Sequence, residues 1–258
     1  MFYTGIIDTH AHYDDERFAN VLDDVMECQR ASGVERIINC GSDEKSSLAS
    51  LSLADRYDFV YAAVGVHPEE SGRLTDGWLE RIKKMAQHPK CVAIGEIGLD
   101  YHYTELDRET QKSVFRLQLE LAHELNMPIE VHDRDAHGDT FELIREMRPK
   151  GTLHRYSASP ELAAEYVKLG MHLGFGGALT YKNSKKEIAT VAQTPMEYIL
   201  LETDCPYLSP ATRRGTTCTS DMIYLVAERI AEIKGGGLTA QRVLDITADN
   251  ARHVFNII

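Results

Sequence analysis

Two histidines one residue apart, His10 and His12, stand at the end of the first short apolar segment of the chain. Side chains at positions i and i+2 of a β-strand point to the same face of the sheet, so the two imidazoles would lie side by side. Such a pair contributes little to the stability of a buried strand, but imidazole nitrogen is a preferred ligand of divalent metal ions. The spacing therefore predicts a metal site at the end of this strand.

Further ligand-type residues follow other apolar segments of the chain. The complete set of candidate metal ligands is His10, His12, Glu96, His132, His154 and Asp204. A lone residue of this kind is more often a helix cap or a hydrogen-bonded side chain. Six nitrogen and oxygen ligands in equivalent positions instead favour a metal centre, and they exceed what one open catalytic ion takes. We therefore expect two ions, with the carboxylate of Glu96 as the bridge between them.

The ligand types narrow the identity of the metal. Imidazoles and carboxylates without thiolates suit Zn²⁺ or Mn²⁺, and the carboxylates also permit Mg²⁺. Mg²⁺ or Mn²⁺ is expected to support activity, with Zn²⁺ as an alternative bound ion. Two ions about 4 Å apart stabilise both the attacking and the leaving oxygen of a hydrolysis.

Eight short apolar segments rich in β-branched residues position these side chains. They fall at about residues 5–10, 34–40, 59–66, 91–97, 128–132, 151–155, 171–176 and 198–203, with amphipathic helical segments between them. Eight strands alternating with helices predict an α/β fold, a (β/α)8 TIM-type barrel, with the metal site at the C-terminal ends of the strands. An open dinucleotide-binding sheet would carry G-x-G-x-x-G after the first strand, where His-Ala-His stands. Residues 1–258 are expected to form one domain.

The clearest helical pattern covers residues 107–126, where Phe115, Leu119 and Ala122 form part of one apolar stripe. Capping residues followed by an early acid or proline predict further helix starts. These stand at Ser42–Asp43, Thr75–Asp76, Ser159–Pro160 and Ser220–Asp221. One or two more helices are expected at about residues 238–257.

The composition restricts the class of protein. The chain has 258 residues and a formal net charge of −12, which argues against a protein that coats nucleic acid by charge alone. No apolar segment approaches the length of a membrane span, and the N-terminal residues lack the pattern of a signal peptide. The five cysteines form no C-x-x-C pair, which is typical of reduced thiols. A cytoplasmic protein without membrane contact is therefore expected.

Basic and aromatic residues near the predicted strand ends could contact a substrate. Arg134 and Arg214 are the preferred candidates for holding phosphate, and Tyr101 with Tyr103 could stack on a base. His67, at the end of the third predicted strand, could position substrate. The same rim carries a further set of basic residues, of which the lysines are equally well explained as solvated loop residues: Arg155, Lys182, Lys185, Lys186 and Arg213.

Two acidic residues, on two different predicted strands, each share the inner face of their strand with a candidate ligand. Glu130 lies two positions before His132, where an unpaired buried carboxylate would be costly. A partner such as an arginine or a cluster of waters is therefore expected for it. Glu202 lies two positions before Asp204 and is expected to orient a metal ligand.

Six motifs spread over nearly the whole chain resemble those of the TatD-type metal-dependent DNase family, part of the amidohydrolase superfamily. They are IDTHAH at 7–12, VGVHP at 64–68, IGEIGLDY at 94–101, VHDRDA at 131–136, LETDCPYL at 201–208 and NARHVF at 250–255. The resemblance implies a TIM-type barrel and two metal sites that share Glu96. One ion would be held with His10, His12 and Asp204, and the other with His132 and His154.

The same resemblance implies a nuclease that requires Mg²⁺ and acts on DNA, often from the 3′ end, with zinc frequent in crystals. The chain departs from the family pattern at three places on the substrate side or in the interior. The usual HCFSG after the sixth strand is HRYSA at 154–158, and the Asn and Pro of R-G-x-x-N-x-P after the eighth strand are missing from residues 214–220. Glu130 replaces a usually apolar residue.

The leading hypothesis is a divalent-metal-dependent phosphodiesterase, a DNase with 3′→5′ exonuclease action on single strands or 3′ ends. A metal-bound hydroxide would attack phosphorus, and Asp204 would act as general base. Arg134, Arg214 and Tyr101 would contact substrate, and Glu96 and His67 would assist catalysis. A monomer is favoured.

Two other classes of function remain open. The first is a hydrolase of a small amide, ester or lactone, or of an aminoacyl-tRNA ester, on the same scaffold. Many related barrels carry a carbamylated lysine on the fourth strand, and Glu96 at that place favours the TatD-type interpretation. The second is a metal-holding partner protein without enzymatic activity.

Overall fold

Eight parallel strands follow one another around the barrel in chain order. A computed structural model describes residues 3–102 and 107–257. The strands are β1 (Ile6–Ala11), β2 (Val34–Cys40), β3 (Val60–Val64), β4 (Cys91–Asp100), β5 (Ile129–Arg134), β6 (Gly151–Leu153), β7 (His172–Phe175) and β8 (Ile199–Leu201). A parallel bridge between Ala11 and Cys205 joins the segment after β8 to the end of β1. The barrel is nearly closed, and the predicted (β/α)8 fold is confirmed.

Helices cover the outside of the barrel between consecutive strands. In the described part of the chain they are α1 (Leu22–Ala31), α2 (Glu44–Arg56), α3 (Trp78–Ala86), α4 (Arg108–Leu125), α5 (His137–Met147), α6 (Pro160–Lys168), α7 (Lys185–Gln193), α8 (Ile223–Lys234) and α9 (Ala240–Phe255). None of these helices is long and apolar enough to cross a membrane. Because helices and barrel interior enclose the strands on both sides, all ten residues of β4 are buried.

Local capping chemistry explains where several helices begin. The side chains of Asp43, Asp107 and Ser159 accept hydrogen bonds from the first turns of α2, α4 and α6, as predicted. The start predicted at Thr75–Asp76 is wrong by two to three residues, because Gly77 adopts a left-handed conformation (φ 77°) and α3 begins after it. At Ser220–Asp221 a short 3-10 turn precedes α8, which begins at Ile223.

A β-bulge in β4 aims Glu96 into the barrel. Ile94 pairs with Ile129 and Ile97 with Val131, so three steps along β4 match two along β5. A side chain at Gly95 would place its Cβ 2.4 Å from the Cβ of Glu130, so this position requires glycine. The predicted fourth strand, at about residues 91–97, ends too early, because pairing with β5 resumes beyond the bulge and continues to Asp100.

A buried histidine at the N-terminal end of β7 makes stability depend on pH. His172 is 9% exposed, its ring contacts that of Tyr198, and its Nδ1 has no hydrogen-bond partner among the described residues. Burial, together with the charge of His253, lowers the pKa of His172 to about 4. Since the unfolded value is about 6.5, the stabilising contribution is complete above pH 6.5 and is lost as the pH falls through about 4.

We expect the free energy of unfolding of the wild type to fall between pH 7.5 and pH 5 by about 2 kcal/mol from this residue alone. The His172→Phe variant should lack that component, because phenylalanine cannot be protonated. Urea denaturation at both pH values measures the difference. A His123→Phe variant on the exposed face of α4 is the control and should keep the wild-type pH dependence. An equal loss in wild type and His172→Phe would contradict the prediction.

Candidate metal centre

The structure gathers all six predicted ligands around Glu96 at the C-terminal end of the barrel. The Oε1 atom of Glu96 lies 2.9 Å from His132 Nδ1 and 3.2 Å from His154 Nε2. Its other oxygen, Oε2, lies 3.5 Å from His10 Nε2 and 3.9 Å from His12 Nε2. One carboxylate therefore presents a separate oxygen to each of two pairs of imidazoles, which is the arrangement that a bridging ligand requires.

Asp204 completes the cluster from the segment after β8. Its Oδ1 lies 3.4 Å from His12 Nε2, and its Oδ2 accepts a hydrogen bond of 3.0 Å from the Arg155 guanidinium. The backbone N–H of Asp204 donates to the carbonyl of His10 at 2.9 Å, which ties this segment to β1. Burial raises the pKa of the Asp204 carboxyl, but the hydrogen bond from His12 and the charges of His154 and Arg155 outweigh it. The net pKa is well below the usual range, so the group is ionised.

Hydrogen bonds on the far side of two rings determine which nitrogen faces the centre. His10 Nδ1 donates to Glu130 Oε2 at 3.0 Å, and His12 Nδ1 donates to the carbonyl of Cys40 at 2.9 Å. In a neutral ring the proton on Nδ1 leaves a lone pair on Nε2, whereas a protonated His12 also donates from Nε2 to Asp204. The two Nε2 atoms face each other at 3.2 Å. Such a contact is favourable when a cation lies against both.

Of the other two rings, that of His132 is held by a carboxylate, and that of His154 lies near one without a hydrogen bond to it. His132 Nε2 donates to Asp100 Oδ2 at 3.0 Å, which leaves its Nδ1 towards Glu96. His154 Nδ1 lies 3.5 Å from Glu202 Oε1, so Glu202 adjoins a ligand as its expected orienting role requires. Sequence reasoning gave Asp100 no role, although its position four residues after Glu96 on one strand was a usable signal. Burial lowers the pKa of His132, but Asp100 and Glu96 outweigh burial and raise it to about 9.

Glu130 has a partner of a different kind from the one expected. Instead of an arginine or waters, the contact is the imidazole of His10, because β1 and β5 face each other across the barrel interior. Burial raises the pKa of Glu130 to about 7, against the hydrogen bond from His10, and the charge of Glu202 also raises it. The second oxygen, Oε1, has no hydrogen-bond partner in the described part of the chain.

His67 lies beside the cluster at the end of β3. Its Nδ1 accepts a hydrogen bond of 3.2 Å from the backbone N–H of Glu69, and its Nε2 lies 3.7 Å from Glu96 Oε1. Burial, helped by the charges of His132 and His154 and opposed by that of Glu96, lowers the pKa of His67 to about 3. The ring is therefore neutral. His67 thus lies next to the candidate ligands. Its role in positioning the substrate stays a prediction.

The residues present fit divalent metal ions. Ligand atoms within 4.8 Å of one another occur in overlapping groups that share His10 or Glu96. They are His10–His12–Glu96, His10–His154–Asp204, His67–Glu96–His132 and His10–Cys40–Glu130. Buried oxygens of Glu130 and Glu202 lack partners among the described residues, which leaves uncompensated negative charge beneath the rings. Cations at the facing imidazoles would supply that compensation.

The predicted substrate residues lie farther out on the rim. The Arg214 guanidinium lies 4.8 Å from the Tyr181 ring centroid, and Arg134 is exposed at the end of β5. The Tyr101 hydroxyl donates to Asp139 at 2.7 Å, while Arg108 covers one face of its ring at 4.3 Å. Tyr103 lies outside the described residues. Contacts of these residues with substrate stay predictions.

A cavity of about 280 Å³ opens over the cluster and is lined by an aromatic residue that sequence reasoning did not single out. His12, His67 and Glu96 form part of its wall, and Tyr207 stands at its mouth with 43% of its surface exposed. The Tyr207 hydroxyl donates to Asp15 at 2.9 Å, and Arg17 lies 4.4 Å from its ring centroid. An aromatic residue three positions after a candidate ligand was the available signal.

A (β/α)8 barrel with imidazoles and carboxylates converging at the C-terminal ends of its strands defines the class of metal-dependent hydrolases. Comparison with known proteins narrows the class. The sequence model of the TatD-related DNase family matches residues 7–256, and the chain belongs to this family.

Similar proteins match over nearly their full length. An uncharacterized metal-dependent hydrolase of Bacillus subtilis, YabD, is 40% identical over 98% of this chain and 99% of its own. The 3′-5′ ssDNA/RNA exonuclease TatD of Salmonella typhimurium is 31% identical over 98% of this chain and 100% of its own. The crystal structure of YJJV, a TatD homologue from Escherichia coli K12, superimposes with a TM-score of 0.93 at 28% identity, covering 98% of this chain and 99% of that one.

Proposed function

We propose that this hydrolase is a phosphodiesterase with two divalent ions that shortens DNA from its 3′ end. The observation that carries the proposal is the orientation of Glu96, whose two oxygens face different pairs of imidazoles. In two-metal hydrolysis a bridging carboxylate holds the ions close enough to act on one phosphate. The Salmonella relative, a 3′-5′ ssDNA/RNA exonuclease by name, supports nucleic acid as the substrate class.

The proposed ligand sets follow from the contacts of the cluster. His10, His12 and Asp204 would hold one ion with Glu96, and His132 and His154 would hold the other with the same carboxylate. Bound ions of this kind supply Lewis acidity at a scissile phosphate and make water nucleophilic at neutral pH. Mg²⁺ or Mn²⁺ suits the catalytic role, and the donor set also accepts Zn²⁺.

The chain itself would supply the proton acceptor. Asp204 lies among the ligands and is ionised, so it would offer a carboxylate oxygen to the proton of the attacking water. Arg155 holds the Oδ2 atom at 3.0 Å and thereby aligns the carboxylate. His67, neutral and 3.7 Å from Glu96, would position the substrate.

Substrate contacts are proposed on the same rim. Arg155 has donors beyond the one directed at Asp204, and its side chain is 42% exposed, so it can also bind a phosphate oxygen. Tyr207 offers a ring already immobilised by Asp15 and Arg17, on which a base could stack. Arg134, Arg214 and Tyr101 remain proposed outer contacts, as the sequence predicted.

A second candidate is hydrolysis of a small phosphodiester or carboxylic ester. Asp14, Asp15 and Glu69 line the mouth of the cavity, and three carboxylates oppose the approach of a long polyanion. The net charge of −12 acts in the same direction. A short or neutral substrate avoids this repulsion.

The polarity assay uses a 5′-labelled single-stranded oligonucleotide with Mg²⁺, Mn²⁺ or a chelator. We expect a ladder of products shortened from the 3′ end with either ion and intact DNA with the chelator. A block of phosphorothioate linkages at the 3′ end should stop the ladder, whereas the same block at the 5′ end should leave it unchanged. Release of the 5′ label as a mononucleotide would overturn the proposed polarity. Intact DNA from protein that contains two bound ions would favour the small-ester candidate.

A further inference from the structure

A buried carboxylate that touches no predicted substrate contact lies beneath the ligand cluster. Glu130 is fully buried as the second residue of β5, next to Thr152 of β6. The absence of a side chain at Gly95 leaves the room that it occupies, since a Cβ there would meet the Cβ of Glu130 at 2.4 Å. Glycine at position 95 of the neighbouring strand β4 therefore provides the space for the Glu130 side chain.

The contacts of Glu130 point to a single partner. Its Oε2 accepts the Nδ1–H of His10 at 3.0 Å, while its Oε1 has no partner among the described residues. One hydrogen bond from a neutral ring is poor compensation for a carboxylate withdrawn from water. A cation at the opposite nitrogen of the same ring improves that balance, because the imidazole transmits the charge.

The neighbouring histidine provides an internal comparison. His12 directs its Nδ1 at the backbone carbonyl of Cys40, a neutral acceptor, whereas His10 directs its Nδ1 at a carboxylate. A carboxylate acceptor makes the opposite nitrogen a stronger donor to a metal than a carbonyl does. The two rings are thus equivalent in position and different in donor strength.

We propose that Glu130 is a positioning residue that holds His10 with its Nε2 towards the centre and strengthens the binding of the ion there. The inference rests on the proposed ion at His10 and not on the identity of the substrate. According to this inference, the affinity of the metal centre depends on a buried acidic residue of β5. The unpartnered oxygen of Glu130 is then part of a charge balance that the bound ion completes.

Calorimetric titration of the metal-free protein with Mn²⁺ tests the affinity. Glu130→Leu removes the acceptor, and we expect binding at one ion site to weaken about 10–100-fold. Glu130→Gln keeps a carbonyl oxygen that can accept the Nδ1–H, so its loss should be smaller. Unchanged affinity in both folded variants would overturn the inference. Failure of the wild type to bind Mn²⁺ would instead overturn the proposed metal centre, which keeps the two failures distinct.

Thermal denaturation with and without Mn²⁺ separates positioning from packing. Metal-free Glu130→Leu loses a buried charge but leaves the Nδ1–H of His10 without its acceptor, so its melting temperature relative to the metal-free wild type measures the packing effect of the substitution alone. The rise in melting temperature on adding Mn²⁺ should be smaller in this variant than in the wild type, since an ion that binds more weakly stabilises the folded protein less. An equal drop with and without Mn²⁺ would identify a packing role only and contradict the inference. Thr190→Val is the control and should leave the Mn²⁺-induced rise unchanged, because it removes from α7 a buried hydroxyl that has no hydrogen-bond partner within residues 3–102 and 107–257.

Discussion

Replacement of Asp204 by asparagine is expected to lower kcat on the oligonucleotide substrate by about 10²–10⁴-fold. The carboxylate lies 3.4 Å from His12 and is ionised, and the proposed mechanism uses it as the acceptor of the proton from the attacking water. Asparagine keeps the shape of the side chain but cannot take a proton at neutral pH. Single-turnover kinetics at saturating Mg²⁺ measures the chemical step, and metal content is determined on the same sample.

Asp14→Asn provides the matched control for the loss of a negative charge. Asp14 lines the same cavity but is absent from the groups of ligand atoms among the described residues. Its replacement should change kcat by less than about threefold, since surface charge affects substrate approach more than chemistry. If Asp204→Asn keeps wild-type kcat with its metal bound, another group accepts the proton.

Replacement of Glu96 by glutamine is expected to reduce the bound metal from two ions to one or none. The amide has a single neutral acceptor oxygen, and its NH₂ group would face one of the two imidazole pairs that Glu96 now serves. Loss of one ion removes several kcal/mol of transition-state stabilisation, so we expect hydrolysis to fall by about 10³-fold. Elemental analysis of dialysed protein gives the metal content, and the oligonucleotide assay gives the rate.

Glu69→Gln is the comparison for this variant, because Glu69 lines the cavity and contributes only its backbone N–H to His67. It should retain both ions and most of the activity. Two ions still bound to Glu96→Gln, with the rate unchanged, would show that the carboxylate does not bridge. Loss of metal from both variants would indicate general damage to the cavity.

The ligand types and the fold class follow from local patterns. Short motifs at strand ends name the candidate ligands, and in a (β/α)8 barrel all C-terminal strand ends meet at one rim. The residues need not be close in sequence for this to hold, so His10 and Asp204 could be assigned to one site without a structure. The helix starts at Asp43 and Ser159 can also be predicted from local sequence, because a capping side chain forms its hydrogen bond within the first turn of its own helix.

Local patterns are insufficient where a neighbouring strand decides the outcome. The bulge at Gly95–Glu96 depends on the register between β4 and β5, which no periodicity within β4 reveals. For this reason the sequence interpretation ended the fourth strand about three residues too early and left Asp100 without a role. The exposure of Tyr207 likewise depends on how the loop after β8 lies against Asp15 and Arg17.

The sequence by itself determined the barrel, the eight strands and the chemical kinds of side chain at their ends. Only the tertiary structure decided which oxygen of Glu96 faces which rings, and which nitrogen of each ring is directed at the centre. It also decided that Glu130 pairs with His10, 120 positions away, and that Arg155 contacts Asp204, 49 positions away. Hydrogen bonds depend on separations of a few tenths of an ångström and on donor angles. Those quantities are fixed by barrel register and side-chain packing across the interior, and no pattern along the chain encodes them.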